Sequence, residues 1–200
     1  MDDSKPRAYH QVARAAASAD IRQRIVAAFR DALREHWMDE ITLDSVAACA
    51  RTTRRTVIRM FGGKDGLVAA ASQAMTNEVA TRRAVPRGAS PAEATRALIA
   101  DYEMTGDVTI RLLAQEERHG VLTQFLDNGR AFHRGWIEGV FAPALARLSR
   151  AKRARRTDQL ITAADIYVWK LLRRDFNRSA AEVEASIAEM LNKLLEESTS

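Results

Sequence analysis

The sequence predicts an all-α protein in two parts, a small N-terminal three-helix domain and a larger helical domain behind it. Three observations carry this. The 200 residues include only 9 Gly and 4 Pro, whereas Ala, Leu and Arg, all strong helix formers, are abundant. Apolar residues recur at helical spacing along nearly the whole chain. Hydrophobic content of 46% is enough for a packed core, and aromatic content is a modest 6%. Two hundred residues suit one or two small domains.

Charge is unevenly placed. The chain carries 31 basic and 26 acidic residues and has a pI near 9.8. Residues 1–64 hold 12 basic and 8 acidic side chains, and the remainder holds 19 and 18. The excess therefore sits at the N-terminal end, which points to a nucleic-acid partner there. Cys49 is the single cysteine, so no intrachain disulfide is possible. It reads as a small core residue rather than a redox sensor. No apolar run approaches the ~20 residues that span a membrane. The polar start MDDSKPRAYH lacks the apolar core of a signal peptide. These features read as a cytoplasmic protein.

Residues 1–19 are expected to form a basic arm with a short helix from Pro6 to about Ala17. Such an arm can follow a DNA backbone or enter a minor groove. The first domain helix is expected from about Asp20 to His36. Its apolar stripe is Ile21, Ile25, Ala28, Phe29, Ala32 and Leu33. Arg22 and Arg24 stand near its start, within reach of phosphates. Trp37 and Ile41 are expected to seal the bottom of the domain.

The stretch Thr42–Leu67, TLDSVAACARTTRRTVIRMFGGKDGL, contains two short helical patterns joined by a polar turn. Thr42 is a good N-cap, and Asp44 suits the positive end of the helix dipole. Val46, Ala47 and Ala50 form a small apolar face, against which a second helix can cross closely. Thr53 can cap that helix, which runs to about Met60. Val57, Met60 and Phe61 face inward at i, i+3 and i+4, leaving Thr53, Arg54, Arg55 and Arg59 outward. Between Asp44 and Asp65 there is no acidic residue. Thr and Arg are the side chains that contact phosphates and base edges. Gly62 and Gly63 stop the helix. Lys64, placed against the dipole at a helix start, is expected to bind a phosphate.

This stretch resembles the helix-turn-helix of the tetracycline-repressor (TetR) family. The gap-free match runs through Thr42, Val46, Ala47, Ala50, Thr53, Thr56, Val57, Phe61, Lys64 and Leu67. The Ile25–Ala28 start and the late segment WKLLRRD are also similar to segments of family members. The chain departs at Arg51, Thr52, Ile58 and Met60, where the pattern has glycine, valine, tyrosine and often histidine. A left-handed Arg51 costs about 1 kcal/mol or more. The resemblance implies a DNA-binding domain over residues 20–66 and a ligand-binding and dimerisation domain over 67–200. It implies a homodimer formed through a four-helix bundle of the last two helices, about 157–176 and 180–197. The DNA-contacting residues would be Thr42, Thr53, Arg54, Arg55, Thr56, Arg59 and Lys64.

In the C-terminal part, a helix is expected from Lys64 to Arg82, then a domain boundary at Arg82–Ser90, where Pro86 and Gly88 interrupt. Ser90, Pro91 and Glu93 form a strong helix start. That helix is expected to end near Glu103, with a second from Asp107 to His119 after a break at Gly106. A longer pattern runs from Thr123 to Arg150, kinked or split at Pro143. Phe125, Phe132 and Trp136 share one face of it. With His133 they are candidates for the wall of an effector pocket between helices. The basic run Arg147–Arg156 reads as an interhelical loop. Helices are expected over Thr157–Phe176 and Ala180–Glu197, the second with a capping box at Ser179 and Glu182. Both are apolar on more than one face, which suggests a partner surface.

Nothing in the sequence supports catalysis. There are no convincingly placed carboxylate pairs, no Gly-rich phosphate loop and no nucleophile elbow. His119 and His133 are about 21 Å apart if they share one helix, too far to share a metal. No cofactor or metal is expected. Two readings follow. One is a ligand-responsive transcriptional regulator, a repressor, that binds a palindromic site in double-stranded DNA as a homodimer, with a small-molecule effector favouring a dimer whose reading heads no longer match the half-site spacing. The alternative is a helical small-molecule-binding or interaction protein of the same fold without sequence-specific DNA reading.

Overall fold

A computed structural model describes the backbone of residues 5–196 and the side chains of residues 14–196. The described chain is helical, with no strand. It divides into two compact units, Met1–Gln73 and Ala74–Ser200. No described helix is long and apolar enough to cross a membrane.

In the first unit, α1 spans Lys5–Glu35, α2 Leu43–Cys49 and α3 Arg54–Phe61, with a 3-10 turn at Met38–Glu40 before α2. The helix α4, Lys64–Arg82, begins here and runs past the division. Ile25, Phe29 and Leu33, four residues apart, give α1 one fully buried stripe. Val46, Ala47 and Ala50 of α2 and Val57 and Phe61 of α3 complete the core with Leu67 and Ala71. The separate arm helix expected before Asp20 is instead continuous with the domain helix. Nothing between Ala17 and Asp20 breaks it, because Ser and Ala there are compatible with helix. The arm's side chains up to residue 13 lie outside the described residues.

Two expectations fail in this unit. Trp37 is 48% exposed, and Met38 takes the interior position beside Ile41. Cys49 is exposed rather than buried. It lines an open groove of about 630 Å³, where Ala27, Ala28 and Ala32 present only methyl groups.

In the second unit, α5 spans Pro91–Leu113, α6 Gly120–Val140, α7 Ala142–Leu145 and α8 Arg150–Ala163. α9, Ile166–Lys170, continues into a π-helical turn over Leu171–Asp175, and α10 spans Ala180–Glu196. α5 packs on α9 and α10, α6 on α8, and α8 on α10. Leu98, Tyr102, Ile137, Leu160, Trp169, Val183, Ile187 and Leu191 form one core between them.

The helix boundaries differ from expectation in four places. Gly106 does not break α5, which passes straight through it. The missing side chain there accommodates Trp169: an added Cβ would lie within 2.9 Å of three ring carbons. The basic run Arg147–Arg156 is mostly the first turns of α8, capped by Ser149, rather than a loop. The helix expected over 157–176 is divided at Ala164–Asp165. The Asp165 carboxylate caps the new start by accepting from Tyr167 N at 2.9 Å, and the Ala164 carbonyl accepts from buried Tyr102 Oη at 3.0 Å. Finally, Arg82–Ser90 is no linker. Gly88 N donates to Val140 O at 2.7 Å, and Arg83, 5% exposed, is part of the interior. The capping boxes at Ser90–Glu93 and Ser179–Glu182 form as expected.

Candidate nucleic-acid interface

The helix-turn-helix is built by local chemistry. The Thr42 hydroxyl accepts from Ser45 N at 3.0 Å and starts α2. At the other end, Arg51 N donates to Ala48 O at 3.0 Å and Thr52 N to Ala47 O at 2.9 Å. This pair of reverse bonds is a Schellman termination. It requires a left-handed residue, and Arg51 adopts φ 52°. The position that most often holds glycine therefore keeps its geometry at the cost of backbone strain. Thr53 then caps α3, its hydroxyl accepting from Thr56 N at 3.2 Å and lying 3.0 Å from Thr56 Oγ1. Gly62, at φ 76°, ends α3 in the left-handed conformation.

These caps set the rotation of α3. Val57 and Phe61 face the core, and Thr53, Arg54, Arg55 and Arg59 are exposed, with Thr56 half-buried. Three arginines on one exposed helix face make a strongly cationic surface. Asp44 lies 3.9 Å from Arg54 Nε, in a pair more than half exposed on both sides. Such a pair is weak and readily exchanged for a phosphate. Ile58 also lies on the outer side, 43% exposed.

Three cations that the sequence set within reach of phosphates have partners inside the unit, the first being Arg24, whose Nε lies 3.1 Å from the Asp20 carboxylate. Arg22 Nη1 donates to Met60 O at 3.3 Å, and its guanidinium sits 4.5 Å from the Phe61 ring centroid. It thus holds the C-terminal end of α3, where a cation also complements the helix dipole. No local pattern announces this contact, since the residues are 38 apart. Lys64 Nζ donates to Met38 O, tying the start of α4 to the turn before α2. Partial burial lowers the Lys64 pKa, opposed by the charges of Asp39 and Asp65.

In the second unit, Phe125, Phe132, His133 and Trp136 are all half-buried on α6. Arg83 engages one polar atom of each of the last two, while His133 Nε2 is buried without a hydrogen-bond partner among the described residues. Trp136 Nε1 donates to Arg83 O at 2.8 Å, and Arg83 Nη1 donates to His133 Nδ1 at 3.3 Å. Burial and the Arg83 charge push the His133 pKa down to about 4. Arg83 also pairs with Asp101 at 2.7 Å. Among the described residues no cluster of His, Cys, Asp or Glu could hold a metal ion.

No protein-family model and no curated protein sequence matches the chain. Solved structures do. A TetR-family transcriptional regulator from Streptomyces coelicolor superposes with a TM-score of 0.74 at 19% identity, covering 90% of this chain and 82% of its own. A transcriptional regulator from Rhodococcus sp. Rha1 gives 0.69 at 17% identity, with coverages of 88% and 96%. A third protein, from Rhodococcus sp. and provisionally assigned to the TetR family, gives 0.67 at 14% identity over 88% and 98%. The fold is that of TetR-family transcriptional regulators.

Proposed function

We propose that the chain is a DNA-binding transcriptional regulator, acting as a repressor whose α3 reads the major groove. The observation that carries this reading is the outward face of α3. Thr53, Arg54, Arg55 and Arg59 stand exposed on a helix fixed by caps at both ends. Arg54 and Arg55 supply bidentate donors for guanine, while Thr42, Thr56 and Arg59 supply backbone or base contacts. Lys64 stands at the edge of this surface. Its ammonium donates to Met38 O and carries three protons in all, so in this reading a further one meets a phosphate.

The active species in this reading is a homodimer, joined through α8–α9 and α10. Most apolar side chains of α10, including Val183, Ile187 and Leu191, already serve the subunit's own core. Met190 on α10 and Tyr167 and Leu171 on the segment before it remain exposed for a partner. Two protomers present two copies of α3 to a palindromic site. An effector lodged beside Phe125, Phe132, His133 and Trp136 would act by binding one dimer geometry better than another. The protein would work in the cytoplasm, and it is not an enzyme in this reading.

The test is binding of the purified protein to the DNA flanking its own coding region, against a scrambled duplex, at two salt concentrations. Preferential binding of two protomers that weakens steeply with salt is expected. Arg54→Ala or Arg55→Ala should weaken specific binding more than binding to the scrambled duplex, whereas Lys64→Ala should weaken both alike. Equal weakening by all three would overturn this division of roles.

A further inference from the structure

Ile58 sits where the polar logic of α3 does not call for it. The residue is 43% exposed, on the flank of α3 between the buried Val57 and Phe61 and the exposed arginines. It lies four residues after Arg54 and three after Arg55, so it shares their face of the helix. Close to half of this large branched aliphatic side chain is left in water beside arginines, where burial does not account for it. In a major groove it has one chemically matched partner. The C5 methyl of thymine is the apolar feature of the groove edge, and aliphatic side chains recognise it by contact.

We propose that Ile58 is a specificity-determining residue that selects a thymine in each half-site by packing on its methyl group. The inference rests on α3 being the DNA-reading helix. The neighbouring arginines provide charge and guanine recognition, and Ile58 provides discrimination at an A·T pair. Because the contact carries no charge, it adds nothing to the salt dependence of binding.

A test can remove the methyl from the DNA alone. A preferred site is first selected from a random duplex pool with the wild-type protein. Each thymine of one half-site, and its symmetry mate in the other, is then replaced by deoxyuridine, which differs only in lacking the C5 methyl. Loss of one buried methyl contact predicts about a fourfold loss of affinity per half-site at one thymine position. Ile58→Ala should bind the thymine and deoxyuridine duplexes equally, with an unchanged salt slope. Ile58→Val, which keeps a branched methyl, should remain sensitive. Alanine at an exposed helical position favours folding, and a melting curve for each variant verifies that the head is intact. Wild-type protein indifferent to deoxyuridine at every position would overturn the inference while leaving the DNA-reading function standing. So would an Ile58→Ala variant that keeps the full deoxyuridine effect. Failure of the wild type to select any sequence would overturn both.

Discussion

Asp101 and Arg83 form a buried ion pair. The Asp101 carboxylate is fully inaccessible, and its Oδ2 accepts from Arg83 Nε at 2.7 Å. Its other oxygen accepts from Arg82 Nε, also at 2.7 Å. The carboxylate thus fixes the last residue of α4 and the one after it to α5. The Arg83 guanidinium is further stacked 4.6 Å from the Tyr102 ring centroid. Burial raises the Tyr102 pKa to about 12, so the hydroxyl stays protonated and donates to Ala164 O.

Removing the carboxylate leaves a buried guanidinium without its counter-charge. Asp101→Ala is expected to cost about 3–5 kcal/mol, read as a lower denaturation midpoint. A loss below about 1 kcal/mol would show that the arginines find water instead.

Arg51 carries the strain of the turn. Arg51→Gly removes the unfavourable left-handed side chain without touching a hydrogen bond, since both bonds of the termination are made by backbone. The variant should gain about 1 kcal/mol, reduced by the greater freedom of glycine in the unfolded chain. Thermal unfolding measures this. A destabilised variant would mean that the Arg51 side chain makes a contribution larger than its strain.

Arg22 acts through α3 if its contacts to Met60 O and Phe61 govern the helix. Arg22→Ala should then lower specific DNA affinity by about fivefold to sixtyfold, the worth of one modest hydrogen bond and one exposed cation–π contact. The slope of log affinity against log salt should stay at the wild-type value. A slope shallower by about one would instead make Arg22 a phosphate contact.

His133 makes stability depend on pH. The unfolded chain takes up its proton near pH 6.5, whereas the folded one does so only near 4. Between these values acid favours the unfolded state, so the contribution present at neutral pH is lost as pH falls below 6.5. The difference amounts to about 2 kcal/mol between pH 7 and pH 5. Chemical denaturation of the wild type and His133→Gln at both pH values isolates it. Parallel pH profiles for the two proteins would contradict the assignment.

The parts of this molecule legible from sequence are those fixed by near neighbours. Thr42 and Thr53 cap helices three residues away, Gly62 stops one, and Val46, Ala47, Ala50, Val57 and Phe61 face inward at helical spacing. The proposed reading face of α3 follows from those local facts. Where the outcome depends on a distant contact, local rules mislead. Gly106 reads as a helix breaker until Trp169 is placed against it. Pro86 and Gly88 read as a linker, but Arg83 beside them is held by Asp101. Arg22 reads as a phosphate ligand, and only the crossing of α1 and α3 reveals its carbonyl partner. Cys49 reads as core, because nothing in α2 alone shows that the facing residues of α1 are alanines.

The central claim is that α3 reads DNA sequence. Selection of bound duplexes from a fully random pool tests it with no target sequence assumed. The enriched sequences should contain two half-sites in inverted orientation, with centres about one helical turn or a multiple of it apart. Arg54→Ala or Arg55→Ala should relax the preference at a guanine. A pool that binds but shows no enriched sequence after repeated selection would contradict the claim and leave the chain a helical binding protein with a cationic surface.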